Sequence, residues 1–109
     1  MKTINLPFDI FKNEITFHEA FVKIMGFPDF YGMNWNAWID CMSYIDDSEA
    51  NMSQVQVAPG EQIEFVVSGY IYSNELDESI PFRNFCICTG FVNRRFKDSG
   101  SETRIIISN

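Results

Sequence analysis

Three consecutive isoleucines near the end of the chain, Ile105, Ile106 and Ile107, constrain its fold more than any other feature of the sequence. They lie at the centre of a predicted strand over residues 103–108, because runs of β-branched residues are typical of strands. An apolar run without polar alternation is typical of a strand covered on both faces, as in a parallel sheet flanked by helices. The segment therefore predicts an α/β fold.

The other elements follow from hydrophobic spacing. Alternating apolar and polar residues predict a strand over residues 2–6, and an apolar run centred on Phe-Val-Val predicts a second over residues 62–68. Apolar residues at helical intervals predict helices over residues 17–25, 35–45 and 81–97. We expect a small α/β domain, with a three-stranded parallel sheet packed with about three helices.

Several residues mark the ends of these helices. Thr16 and Glu19 have the spacing of a capping box, which predicts that the first helix begins at residue 17. Gly26 is expected to end that helix. Asn34 can cap the second helix, and Pro81 suits the first turn of the third.

The segments between these elements are predicted loops. Residues 46–60 are rich in Asp, Ser, Asn and Gln and lack a helical or alternating pattern, so they predict a loop. Residues 70–72 are expected to bend or extend the second strand. A second acidic loop is predicted over residues 74–79.

The length of 109 residues fits one domain, so we expect residues 1–109 to fold as a single unit and, in the free form, as a monomer. The N-terminal residues lack the apolar run of a signal peptide, and no apolar run is long enough for a membrane span. Three cysteines cannot all pair within the chain, and Cys86 and Cys88 are too close to link distant segments. We therefore expect a cytoplasmic protein.

Acidic residues are concentrated in the middle of the chain. The net charge is −7, and the stretch between Lys23 and Arg83 contains ten acidic residues and no lysine or arginine. This distribution argues against direct binding to nucleic acid, which requires clustered basic residues. Two interpretations remain: a solvated surface that keeps the protein soluble, or an electronegative face that attracts a cationic partner.

The second helix has two chemically different sides. One side carries apolar residues at spacings of three and four, namely Trp35, Trp38, Met42 and Ile45. The opposite side carries the polar residues Asn36, Asp40, Ser43 and Asp47, with Ile39 at the rim. The apolar side predicts core packing. From periodicity alone, Asn36 and Asp40 are ordinary solvent-exposed residues.

Catalytic and metal-binding patterns are weak. The single histidine, His18, is predicted to lie on the surface in the first turn of the first helix. Cys86 and Cys88 lack the spacing and the second ligand pair of a zinc site. Arg94 and Arg95 can bind an anion or interact with the carboxyl end of their own helix. We therefore expect no enzyme activity, no metal and no cofactor.

Residues 28–41 read Pro-Asp-Phe-Tyr-Gly-Met-Asn-Trp-Asn-Ala-Trp-Ile-Asp-Cys, and this segment resembles the barstar-like family. Residues 91–96 are also similar to a stretch found in bacterial members. The resemblance implies a barstar-like α/β fold and the function of a ribonuclease inhibitor, as an immunity protein or antitoxin. The implied partner is a cationic bacterial ribonuclease or nuclease toxin, whose active site is blocked by the second helix and the preceding loop.

The resemblance also implies which residues contact the partner: Phe30, Asn34, Asn36, Ala37, Ile39, Asp40 and Ser43. Tyr44, Asp46 and Asp47 follow directly and are added as further candidate contacts. Asp40 carries the most weight, because a carboxylate can replace substrate phosphate among the basic residues of a nuclease site.

The chain also departs from this family. Asn36 stands where the family has an acidic residue, and Arg94 and Arg95 lie near the place of a further family carboxylate. We therefore expect a target other than barnase. Two other classes of function stay open: a small acidic enzyme or ligand-binding domain that uses Asp40, and an adaptor for a basic protein that is not a nuclease. A cleft around Asp40 would favour the enzyme, whereas a ridge would favour the inhibitor.

Overall fold

The computed structural model describes residues 1–69 and 79–109. Within these ranges lie the strands and α-helices β1 (Lys2–Pro7), α1 (Glu14–Met25), α2 (Trp35–Met42), β2 (Gln62–Ser68), α3 (Ile80–Asp98) and β3 (Arg104–Ser108). Two short 3-10 helices join them, Phe8–Lys12 and Ser48–Ala50. The predicted order of strands and helices is therefore confirmed for the described residues. The predicted extension at 70–72 and most of the predicted loop 74–79 lie outside them.

The three strands form a parallel sheet in the order β1-β2-β3. In the central strand Phe65 lies between Ile4 of β1 and Ile107 of β3. Both crossovers run through helical segments, as parallel neighbours require. The structure thus confirms the predicted α/β fold with a small parallel sheet.

One face of the sheet is buried and the other is partly open. Ile63, Phe65 and Val67 of β2 are buried, whereas Glu64 and Val66 between them are only half-buried. On the open face Glu64 accepts hydrogen bonds from Thr3 Oγ1 at 3.4 Å and Ser108 Oγ at 3.0 Å. The prediction that the isoleucine strand is covered on both faces is therefore wrong. Within the described residues the buried side chains of the helices join one core cluster on a single face of the sheet.

The core is built from aromatic rings that connect the helices to the central strand. Phe85 of α3 lies 5.7 Å from Trp38 of α2, 5.9 Å from Phe21 of α1 and 6.0 Å from Phe65 of β2, between ring centroids. All four side chains are fully buried. Burial of each such side chain contributes about 1.5 to 3 kcal/mol relative to exposure. This packing holds α2 in a fixed position against α1 and α3.

The first helix begins earlier than the capping box predicts. Its N-cap is Asn13, whose side-chain oxygen accepts a hydrogen bond from the backbone N–H of Thr16 at 2.8 Å. The pair Thr16 and Glu19 therefore lies inside the helix. The predicted end is correct: Gly26 adopts the left-handed conformation with φ of 66° and donates its N–H to the carbonyl of Val22 at 2.9 Å.

The second helix has the predicted cap, and the third has the predicted proline in its first turn. Asn34 caps α2 as predicted, but the helix stops at Met42 and the chain continues to Ile45 through turns. Helix α3 is capped by Ser79, with Pro81 in its first turn. Residues 46–60 contain a single short 3-10 turn, which agrees with the predicted loop. None of the helices within the described ranges is long and apolar enough to span a membrane.

Candidate partner-binding surface

Helix α2 has one buried and one exposed side, as its sequence predicts. Trp38 and Met42 are fully buried, and Ile45 beyond the helix end is buried with them. On the opposite side Asn36 and Asp40 are exposed and Ser43 is half-buried. The buried side fixes the orientation of the helix, so the polar side chains are presented from a rigid support.

Asp40 does not project freely into solvent. Arg95 Nη1 of α3 donates a hydrogen bond to Asp40 Oδ1 at 2.8 Å and lies 3.5 Å from Ser43 Oγ. The side chain of Arg95 is 53% exposed to solvent and that of Asp40 is 56% exposed. Such exposed pairs contribute only about 0 to 1 kcal/mol to stability. The pair is therefore accessible, and it can exchange partners at little cost.

The sequence analysis missed this ion pair, although one signal for it was available. Residues at spacings of three and seven lie on neighbouring parts of a helix surface. Arg95 follows Val92 by three and Cys88 by seven, so it lies beside the buried stripe that faces the rest of the domain. Arg94 lies on the far side and pairs with Asp98 at 3.3 Å within its own helix. The two arginines, which the sequence analysis treated together, therefore have different environments.

The loop before α2 presents an aromatic side chain. Phe30 is 74% exposed, the largest exposed fraction among the large apolar residues that the structure describes. Met33 is also exposed, and it adopts a positive φ of 56°, which is uncommon for a residue with a side chain. The loop closes on α2 through Asn34, whose Nδ2 donates to the carbonyl of Gly32 at 3.1 Å. Its Oδ1 accepts from the N–H of Ala37 at 2.8 Å.

Tyr31 anchors this loop from below. Its side chain is buried, its ring centroid lies 4.7 Å from that of Phe27, and its hydroxyl lies 2.6 Å from His18 Nδ1. Burial raises the pKa of Tyr31 and lowers the pKa of His18. Both groups are therefore neutral near pH 7, and the hydroxyl and Nδ1 share a hydrogen bond whose donor is set by the histidine tautomer.

This contact corrects the prediction for His18. The histidine is buried and not on the surface, and it lies against the rings of Trp35 and Phe17 at centroid distances of 5.0 and 5.1 Å. The prediction was wrong because the helix begins at Glu14 and the aromatic loop folds over this turn. His18 supports the loop that carries Phe30.

The remaining predicted contact residues differ in accessibility. Ala37 and Ile39 are half-buried at the edge of the core, whereas Tyr44 and Asp47 are exposed. Asp46 is half-buried, and its Oδ2 accepts a hydrogen bond from Ser101 Oγ at 2.7 Å. We call the surface formed by the exposed or half-exposed side chains of this region the α2 face; its members are Phe30, Asn36, Asp40, Ser43, Tyr44 and Asp47.

The charged side chains of the α2 face are the carboxylates of Asp40 and Asp47. Burial raises the pKa of the Cys41 thiol, on the inner side of α2, to about 11, so it is a poor nucleophile at neutral pH. Within the described residues no cluster of three or more His, Cys, Asp and Glu side chains is placed to hold a metal ion. A shallow depression lined by Phe82, Arg83, Cys86 and Ile87 lies on the first half of α3, away from the last turn that carries Arg95.

Comparison with known proteins agrees with the fold. A family model described as "Barstar (barnase inhibitor)" matches residues 1–87, which include β1, α1, α2, β2 and the first part of α3. Comparison with curated proteins found no match. The matched segment covers most of the 109 residues and contains the whole α2 face. The chain belongs to the barstar family.

Proposed function

We propose that this protein inhibits a cationic bacterial ribonuclease, as an immunity protein or antitoxin. It acts in the cytoplasm of the cell that makes both the ribonuclease and its inhibitor. The α2 face enters the nuclease active site and blocks it. The observation that carries the proposal is the position of Asp40, exposed on a helix whose opposite side is fixed by the buried Trp38. Members of the family are inhibitors and not enzymes, which supports this interpretation.

Asp40 supplies the charge that such a target requires. A ribonuclease binds the phosphates of its substrate with basic side chains, and a carboxylate can accept the same charge-assisted hydrogen bonds. An ionised carboxylate accepts hydrogen bonds through both oxygens, so one bond from Arg95 leaves acceptor capacity for a partner. The rigid support of α2 also reduces the entropy lost on binding.

Phe30 supplies the apolar part of the interface. Exposed aromatic side chains near the centre of an interface often carry a large share of the binding energy. A standard interface buries about 800 Å² per partner, which is roughly an eighth of the 6279 Å² accessible surface of this protein. The α2 face and its neighbouring loops are large enough for such an interface.

The acidic middle of the chain supports fast association. Asp47 belongs to the α2 face, Glu49 follows it two residues later, and both are exposed. The ten acidic residues between Lys23 and Arg83 make this part of the chain strongly negative. Charge of one sign attracts an oppositely charged partner and raises the association rate. Raising ionic strength should therefore slow association, because the field reaches only about 8 Å at physiological salt. An association rate that does not change with salt would remove this role for the acidic residues.

The principal test compares two aspartates. The purified protein is titrated into barnase and into any ribonuclease encoded in the neighbouring reading frame, and RNA cleavage is measured. We expect stoichiometric inhibition of the true target. Asp40→Ala should weaken binding by about 2 to 5 kcal/mol, roughly 30- to 4,000-fold, because it leaves a buried nuclease cation unpaired. Asp9→Ala is the matched control: Asp9 is exposed, lies in the 3-10 helix Phe8–Lys12 and is not part of the α2 face.

Three results would contradict the proposal. Equal affinities of Asp40→Ala and Asp9→Ala for the target would place the interface elsewhere. Turnover that co-purifies with the protein and is lost in Asp40→Ala would favour an enzyme. Binding through Asp40 to a basic protein without nuclease activity would favour an adaptor.

A further inference from the structure

We propose that Arg95 is an internal competitor for Asp40 and thereby determines which nucleases the protein accepts. This inference rests on the proposed function and deepens it. Arg95 Nη1 lies 2.8 Å from Asp40 Oδ1, so it occupies one of the two carboxylate oxygens to which a basic side chain of a nuclease would bind. In the free protein Asp40 is therefore already paired with a cationic side chain, the same kind of group that the target nuclease is expected to offer.

The position of Arg95 is fixed by the packing of α3 against α2. Phe96 and Val92 on either side of it are buried, and Phe85 on the same helix contacts Trp38 of α2 at 5.7 Å between ring centroids. The base of the Arg95 side chain therefore stays beside α2 even when its guanidinium group moves. A partner that approaches Asp40 meets Arg95 in every case.

The ion pair between Asp40 and Arg95 is weak and easily broken. Burying the Arg95 guanidinium in an interface with a cationic partner, in contrast, is unfavourable. An exposed pair of this kind contributes little to stability, so a nuclease cation can displace the guanidinium. Once water is excluded, however, Arg95 would face the same basic residues that bind Asp40, and like charges enclosed in an interface repel each other strongly. Nucleases whose active site is lined only with basic groups are therefore disfavoured.

The favoured target has a different arrangement of charge. Arg95 retains N–H donors that are not used by Asp40, so it can donate to a carboxylate or carbonyl of the partner. A nuclease with an acidic side chain next to its phosphate-binding cation complements both members of the pair. The nuclease cation binds Asp40, and the nuclease carboxylate binds Arg95. Arg95 lies outside residues 1–87, the part matched by the family model, so the match does not bear on this selectivity.

Arg94 provides a matched control for the test. It is the adjacent residue and carries the same charge, and its pairing with Asp98 keeps it on α3. Arg94→Gln and Arg95→Gln have the same net charge and nearly the same long-range field. Any difference between them therefore reports local competition at Asp40 and not general electrostatic attraction.

The experiment measures the affinity of both variants for two probes, a hexa-arginine peptide and barnase, which serves as a cationic ribonuclease. We expect Arg95→Gln to bind the peptide about twofold to fivefold more tightly than Arg94→Gln, as the loss of an exposed competing pair allows. For barnase we expect a gain of at least about tenfold, mainly as slower dissociation. In an Asp40→Asn background the difference between the two variants should vanish for the peptide. For barnase it should shrink but persist, because repulsion between Arg95 and the nuclease cations does not require the Asp40 charge.

The outcomes separate this inference from the proposed function. If Arg94→Gln and Arg95→Gln bind both probes equally, Arg95 is not a competitor, although inhibition of a ribonuclease by the parent protein can still be observed. If Arg95→Gln gains affinity for the peptide while no variant inhibits barnase or the neighbouring ribonuclease, the competition at Asp40 is supported and the proposed function fails. A difference in affinity for the peptide that persists in the Asp40→Asn background would also overturn the inference.

Discussion

The buried and exposed sides of α2 are held in place by different forces. Trp38, on the buried side, is fully buried and contacts the rings of Phe17, Phe21, Trp35 and Phe85. Asp40, two residues further along the chain, has one ion pair and remains 56% exposed. Packing therefore fixes the helix, and a weak, solvent-accessible contact orients its binding group. The difference implies that stability and recognition can be changed separately on one short helix.

The largest expected effect is on the buried side. Trp38→Ala removes the central ring of this cluster and should lower the free energy of unfolding by about 3 to 5 kcal/mol. Small domains are stable by only about 5 to 15 kcal/mol, so this variant should lose a large part of its stability and unfold at a much lower urea concentration. Urea denaturation followed by circular dichroism measures the loss.

Asp40→Ala is the comparison for that experiment. Its side chain is 56% exposed, so we expect a change in the free energy of unfolding of no more than about 1 kcal/mol. A loss of stability as large as that of Trp38→Ala would show that the two sides of α2 are not independent.

The pattern of α2 was predictable because it is local. The spacing of Trp38 and Met42 determines which side is buried, and Asn34 determines where the helix starts, so the sequence alone predicts the exposure of Asn36 and Asp40. The parallel pairing of the strands followed from the alternation of strands and helices.

Two contacts at the α2 face and beneath its loop, between Asp40 and Arg95 and between His18 and Tyr31, could not be predicted from local spacing. Asp40 and Arg95 are 55 residues apart, and His18 and Tyr31 are 13 apart in separate elements, so no helical or strand period relates them. His18 was assigned to the surface because the polar pair Thr16 and Glu19 imitates a capping box, whereas Asn13 is the residue whose side chain caps the helix. Such contacts depend on how separate elements pack together, and the local spacing of residues in one sequence does not predict that packing.

The second prediction concerns His18, the polar group under the loop of the α2 face. Burial lowers its pKa below the usual 6.5, although the negative charge of Glu14 opposes this shift. The unfolded chain therefore binds a proton at higher pH than the folded protein does. The stabilisation is complete above about pH 6.5 and is lost as the pH falls from 6.5 toward the lowered pKa, by up to about 1.4 kcal/mol per pH unit.

This pH dependence is measured by urea denaturation between pH 7.5 and 5.5, a range in which most carboxylates stay ionised. Protonation of His18 also places a positive charge in a buried position beside the Tyr31 hydroxyl, so the loop should loosen in the same range. His18→Gln is the control, since it cannot titrate and should abolish this part of the slope even if its stability is lower at every pH. A slope that is unchanged in His18→Gln would assign the effect to other groups.

The third prediction concerns Asn34, the N-cap residue that joins the loop to α2. Asn34→Ala removes the hydrogen bond to the N–H of Ala37 and the bond to the carbonyl of Gly32. We expect the free energy of unfolding to fall by about 1 kcal/mol, as for other N-cap residues. Asn34→Ser, which retains a capping oxygen, should recover most of this loss, and an equal loss in both variants would contradict a capping role.

The smallest expected effect is the contribution of the Asp40 and Arg95 pair to stability. A double-mutant cycle with Asp40→Asn and Arg95→Gln should give a coupling free energy of about 0.2 to 1 kcal/mol, because both side chains are more than half exposed. The coupling should shrink further in 1 M salt, where screening limits interactions between exposed charges to about 3 Å. The measurement uses urea denaturation of the parent protein, both single variants and the double variant. A coupling above about 2 kcal/mol would mean that the pair is a structural support of α2, and a target could then not displace Arg95 at low cost.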